Sequence, residues 1–286
     1  NENITSRYDL LTYNLLDGYA SQRETEQVRI GVQGQLGGVL DYNNCGPILQ
    51  AMFGQGPLTA ASGAGAITLG ACSGWFTFAS GQSQEQYMQF IVDKQISRWY
   101  STNMVVNSFE FSAGMGEEVK WTVDLIGRNY LTTSTALTVT NALTSFNAVK
   151  MNEAEFRIAP VTSGALAAGH AVKINRFTIS CNWNLTADIM GTKDSVHTDA
   201  RYILNPMTDA ARDVTLSIEL PRYDSDTEFI AWKAADTRLQ AELIFTDGSE
   251  RITFIFPQLK INDGFNAETN GKAHRVLSGT LKAFRN

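Results

Sequence analysis

The side chains able to do chemistry are few and scattered. Histidine occurs three times, as His170, His197 and His274. His197 lies in DSVHTDAR, with Asp194 and Asp199 close by. An imidazole between carboxylates can ligate a metal or carry a proton. The same letters also describe a solvated polar loop, the plainer reading. A Ser–His–Asp set needs a positioned histidine, and neither an HExxH nor a Walker A sequence occurs. Gly31, Gly34, Gly37 and Gly38 do not fit GxGxxG; they fall inside a strand pattern, where glycine marks a bulge or a close backbone approach. Glu117-Glu118 reads as a charge pair ending a turn. Cys45, Cys72 and Cys181 are odd in number and far apart, which suits neither a disulfide framework nor a zinc site. Buried free thiols in a reducing compartment are expected. Trp121 and Trp183 fall on the apolar side of alternating strands, so core packing is expected; a sugar-binding platform would need their rings on an exposed concave face. No catalytic, metal-ligating or cofactor-binding residue is assigned, and no cofactor is expected.

Composition narrows the classes further. The chain has 286 residues, enough for two domains. Its charged fraction, 18%, is low against a typical value of about 25%, which suggests that other subunits cover part of the surface. There are 23 basic and 29 acidic residues and no dense Lys/Arg stripe, which disfavours tight nucleic-acid binding. No run of ~18 apolar residues offers a spanning helix. Asn1 to Tyr8 lacks the basic and apolar regions of a secretory signal.

The elements that must position any site are strands. Val28, Ile30, Val32 and Leu36 alternate with polar residues, as in a half-buried strand. A short helix is predicted over Ile48–Phe53, with Asn44 as cap and Pro47 in its first turn. A hairpin with arms Cys72–Ala79 and Gln86–Asp93 follows, then strands Met104–Ala113 and Val119–Leu125 joined by Gly114-Met115-Gly116. The Thr/Ala/Ser-rich stretch from Tyr130 to Val172 reads as a connector with one short strand near Ala154–Ile158. The second half repeats the plan. Alternating strands cover Phe177–Leu185 and Val214–Leu220. A helix follows from a capping box, Ser225 with Glu228, and then a hairpin turning at Asp247-Gly248. Final strands are predicted at Gln258–Ile261 and Val276–Phe284. Strand, helix, hairpin and two strands thus occur twice, as two tandem domains.

The stretch YSTNMVVNSFEFSAGMGEEVKWTVDLIGRN, at 100–129, resembles phage tail tube proteins. So do VKINRFTISCNWNLTADIMGT, RDVTLSIELPRYDSDTEFIAWK and FIFPQLKINDGF in the second half. The likeness covers roughly 26–129 and 172–286 and rests on order, duplication and C-terminal layout. Ser101-Thr102 departs from it, standing where glycine is common. The resemblance implies a mainly β chain of two tube domains, each a β-sandwich or half-barrel with one short helix. Residues 1–135 are the first, with an N-terminal arm; 136–170 are the connector; 171–286 are the second. It implies a non-enzymatic subunit whose trimeric, pseudo-hexameric rings stack around a β-barrel channel for the genome. The implied partners are further copies, the tape measure, tail terminator and distal tail or baseplate proteins; DNA passes without tight binding. The implied setting is the virion tail, assembled in the host cytoplasm. A distal or minor tail ring protein and a carbohydrate-binding β-sandwich are the alternatives.

Closing sheets from several subunits into one barrel removes exposed edges and turns the wetted face to the channel. The expected lumen residues are therefore the polar alternating sets: Ser108, Glu110, Ser112, Lys120, Thr122, Asp124, Thr178, Ser180, Thr215, Ser217 and Glu219. Two stretches, Arg7–Gln27 and 187–212, carry spaced apolar residues and are expected to reach neighbouring subunits. The anchors are Tyr8, Leu10, Leu11 and Tyr13 on the first, and Val196, Tyr202, Ile203, Leu204 and Met207 on the second.

Overall fold

The computed structural model describes residues 2–13, 24–43, 45–53, 88–93, 98–127, 129–133, 146–186, 207–208, 210–221, 227–248, 250–265 and 277–284. In the first half β1 (Glu2–Tyr13) and β2 (Glu24–Val39) form a long antiparallel hairpin. Within the Arg7–Gln27 stretch, residues 7–13 and 24–27 are paired strand, and 14–23 lie outside the described residues. Glu24–Gln27 carry no apolar alternation, so only pairing with β1 reveals them as strand. Gly34 is where β1 comes close: a Cβ there would sit 2.5 Å from the Asn3 carbonyl oxygen. The helix α1 (Gly46–Met52) follows, with Pro47 in its first turn. Cys45, not Asn44, stands at its N-cap, with no capping side-chain bond.

Next come β3 (Met88–Asp93), β4 (Arg98–Gly114), β5 (Lys120–Gly127) and β6 (Asn129–Thr133). The expected arm Cys72–Ala79 lies outside the described residues; β3 pairs with the first part of β4. That part also pairs with β6, whereas the second part of β4 pairs with β5. Residues 154–160 form β7 (Ala154–Pro160), followed by the short β8 (Ala171–Val172).

The second half contains β9 (Arg176–Asn182), β10 (Leu185–Thr186), β11 (Met207–Thr208), β12 (Asp213–Leu220), α2 (Thr227–Ala234), β13 (Leu239–Asp247), β14 (Glu250–Gly264) and β15 (Leu277–Ala283). β13 turns into β14 through Gly248 at φ 58°. The hairpin arm and the strand expected on either side of Pro257 are one strand, β14, which runs through the proline. Pro257 falls beside the register shift between Leu239 and Ala241, where a missing N–H costs no regular ladder bond.

The halves share one strand order. The first reads β1-β2-β5-β4 with β3 on β4, and the second β9-β12-β15-β14-β13. Details repeat as well. Met88 pairs with Met104 and Leu239 with Leu259. A bulge at Asn107 on β4 matches one at Asn262 on β14. The halves meet where the second part of β4 pairs with β9, from Ser108↔Asn182 to Gly114↔Arg176. The result is one open antiparallel sheet, mainly β throughout; among the described residues it does not close into a barrel.

Behind the joint lies a common core. Phe109, Phe111, Phe177, Ile179, Leu216 and Ile218 are all buried. The sheet curls, so that Phe254 of β14 reaches Phe111 at 5.1 Å and Phe245 of β13 reaches Phe177 at 5.7 Å. α1 seals the other side, where Trp183 Nε1 donates to the Met52 carbonyl at 3.0 Å. Trp183 is fully buried, as core packing required, and Arg212 lies over its ring.

Candidate functional site

Strand alternation sends apolar residues to this core and leaves polar residues on the opposite face. Registers arrange that face in rows across the joint. One row runs Gln35, Asp124, Ser108, Asn182, Asp213. The next is Thr122, Glu110, Ser180, Thr215, Lys282, and then Lys120, Ser112, Thr178, Ser217, Thr280. Arg176, Glu219 and Ser278 form a last, shorter row. All eleven polar residues singled out from sequence therefore share one sheet face. Sequence reasoning missed Gln35, Arg176, Asn182, Asp213, Ser278, Thr280 and Lys282 as members. Period-two alternation beside Leu36, Phe177, Cys181, Val214, Leu277 and Leu281 carried the signal.

The rows are knitted by short hydroxyl and amide contacts. Gln35 Nε2 donates to Asp124 Oδ1 at 3.1 Å, and Ser108 Oγ donates to Asp124 Oδ2. Ser180 and Thr215 hydroxyls lie 2.8 Å apart, and those of Ser217 and Thr280 2.9 Å. Cross-strand hydroxyl pairs of this kind fasten a sheet modestly and use up polar capacity that could otherwise hold a ligand. Lys282 Nζ comes within 3.0 Å of Asp213 Oδ1, an ion pair on a wetted face and hence of small energy. Gln35, Glu110, Lys120, Asp124, Arg176, Asn182 and Ser278 are exposed; the other members of the rows are half-buried between neighbours. A shallow groove follows the joint, lined by Gln35, Ser108, Glu110, Thr122, Asp124, Ser180, Asn182, Asp213 and Thr215. Its walls carry carboxylates and hydroxyls, and so offer phosphate little to hold.

Among the described residues this face carries no histidine. His170 sits elsewhere, in a short turn, where its Nδ1 accepts from the Ala167 N–H at 3.1 Å. His197 and His274 lie outside the described residues, as does Cys72. Among the described residues no group of His, Cys, Asp and Glu is arranged to hold a metal, and no helix is long and apolar enough to cross a membrane. The thiols of Cys45 and Cys181 are free and buried. Burial pushes the Cys181 thiol up to about 12 and also raises that of Cys45, so neither is a ready nucleophile.

A family model described as phage tail tube protein matches residues 5–283, nearly the whole chain. The chain belongs to the phage tail tube protein family. No curated protein matches it at a significant level. As a tail tube protein it is a structural component of the virion tail, one that associates with copies of itself. Of the residues expected to reach neighbours in the tube, Tyr8, Leu10, Leu11 and Tyr13 are on β1, paired with Ile30, Gln27, Glu26 and Glu24 of β2. Met207 is on β11, where it pairs with Thr186. Val196, Tyr202, Ile203 and Leu204 lie outside the described residues.

Proposed function

We propose that this tail tube protein is the repeating subunit of the tube, and that its polar sheet face lines the channel through which the genome passes. The two tandem halves, 1–135 and 171–286 linked by 136–170, would occupy equivalent positions, so that a ring of three chains mimics six. Rings stack into a cylinder, with the β1–β2 hairpin and the 187–212 loop reaching across to neighbours. The carrying observation is the continuity of the polar rows over both halves. A wall made mostly of small neutral side chains, with carboxylates in its central groove, stays hydrated and lets DNA slide. The tape measure, tail terminator and distal tail or baseplate proteins are the further partners of such a cylinder. Assembly would take place in the host cytoplasm, where buried thiols stay reduced.

Electron microscopy of the purified protein tests the reading. Uniform stacked cylinders with true threefold and pseudo-sixfold end views are expected. Rings that stop after one layer would instead make it a distal ring protein, and rings of six whole chains would contradict the duplication argument.

A further inference from the structure

Several sheet edges are open among the described residues, and for two of them the repeat says what belongs there. β1 pairs with β2 on one side only, and β14 beyond Leu259 pairs with β15 on one side only. Their counterparts in the other half are not open. β9, the counterpart of β1, pairs with the second part of β4, the counterpart of the end of β14. The correspondence holds residue by residue. Ile4 pairs with Gly34 as Ile179 pairs with Leu216, and both isoleucines are buried. Asn107 and Asn262 hold the same bulge, which places Ser108 against Asp263 and Phe109 against Gly264 in the comparison.

We propose that β1 of a second copy of this chain docks on the open edge of β14 at Lys260–Gly264, in the register with which β9 docks on β4. Carrying the internal joint across fixes every pair. Ser108↔Asn182 becomes Asp263 opposite Arg7 of the next copy, which sets opposite charges at one position. Phe109↔Cys181 becomes Gly264 opposite Ser6 of the next copy. The bulge asparagine supplies the lock. Asn107 accepts from the Trp183 N–H with its carbonyl, at 2.8 Å, and from the Leu185 N–H with its Oδ1, at 2.9 Å. Asn262 would accept in the same way from the N–H groups of Tyr8 and Leu10 of the next copy. In the single chain the Gly264 N–H donates to Asp263 Oδ1, and the Gly264 carbonyl accepts from Lys233 Nζ, both at 2.7 Å. These side chains guard the edge until a strand replaces them.

This inference deepens the tube reading, rests on it, and names the contact that closes its ring. The test uses full-length chains in a Cys72→Ser background. Arg7→Cys chains are mixed with Asp263→Cys chains, oxidised mildly and run on a non-reducing gel. The paired positions form a non-hydrogen-bonded pair with Cα atoms about 4.5 Å apart, within disulfide reach. Ser108→Cys with Asn182→Cys in one chain is the internal control for that geometry. A cross-linked dimer several-fold above the register-shifted pair Thr5→Cys with Asp263→Cys is expected. Singly, Arg7→Asp and Asp263→Arg should weaken assembly, and together they should restore it. If rings form but the two cysteine pairs cross-link equally, the joint is wrong and the tube reading stands. If the unmodified protein forms neither rings nor tubes, both fail.

Discussion

β4 and β14 are counterparts with different surroundings. Both are long strands that change partners part-way along, and both bulge at an asparagine. Past the bulge β4 is flanked on both sides, Phe109 is buried and Ser108 is half-buried. On β14 the bulge residue Asn262 and Asp263 just past it are exposed. The difference is not in the strand but in whether a β9 equivalent lies beside it. Charged and amide side chains sit where a sheet would otherwise expose bare backbone, which keeps single chains from pairing indiscriminately.

Removing what holds β9 to β4 should give the largest effect. Trp183→Ala deletes a fully buried ring beside the Asn107 bulge and its bond to the Met52 carbonyl. A loss of about 3–5 kcal/mol is expected in urea unfolding. Because Trp183 touches α1 of the other half, both halves should unfold in one transition, and two separated transitions would break the comparison. On β14, Gly264→Ala should cost about 2–3 kcal/mol. Gly264 has φ 79°, and a Cβ would stand 2.5 Å from Gly279 Cα. Unchanged urea midpoints would show that this end of β14 is looser than its register implies.

The joint also predicts an alkaline weakness. Cys181 lies opposite Phe109, and its folded thiol is raised from 9.0 to about 12. Burial favours the neutral form, so this stabilisation is complete below pH 9 and is lost as pH climbs from 9 towards 12. The loss should reach about 1 kcal/mol by pH 10. Thermal melts should fall over that window, and Cys181→Ala should flatten part of the fall. Tyr42, raised by its own burial and by the Glu153 carboxylate that accepts its hydroxyl, adds to the decline from pH 10 upward. The smallest effect on stability belongs to the polar face. Glu110→Lys with Glu219→Lys should change stability by less than about 0.5 kcal/mol, since surface charges contribute little. The same pair should slow DNA ejection at low salt and release it at high salt. Ejection at the unmodified rate at low salt would remove these residues from the channel wall.

The duplicated plan was legible because the signals are local. Phe177, Ile179 and Cys181 alternating with Thr178 and Ser180 fix a strand and its faces. Asp247-Gly248 fixes a turn. Those signals also assigned all eleven polar residues to one side of their strands, since a pleated strand allows only two sides. Glu2–Tyr13 was not legible as a strand, nor was the continuity of β14 through Pro257. Their pattern is irregular, and only a partner strand supplies the hydrogen bonds that define them.

Periodicity says which residues share a face but not which strands are neighbours. That Ser108 lies between Asp124 and Asn182, with 57 residues between those two in sequence, was decided by long-range backbone pairing and by the aromatic core behind it. The sequence by itself determined strands, faces, turns and a repeat, because these follow from interactions within a few residues. The tertiary structure decided that two modules make one sheet, and which edges it leaves open. Strand pairing is made by backbone groups that every residue carries, so no local pattern of side chains can specify the partner.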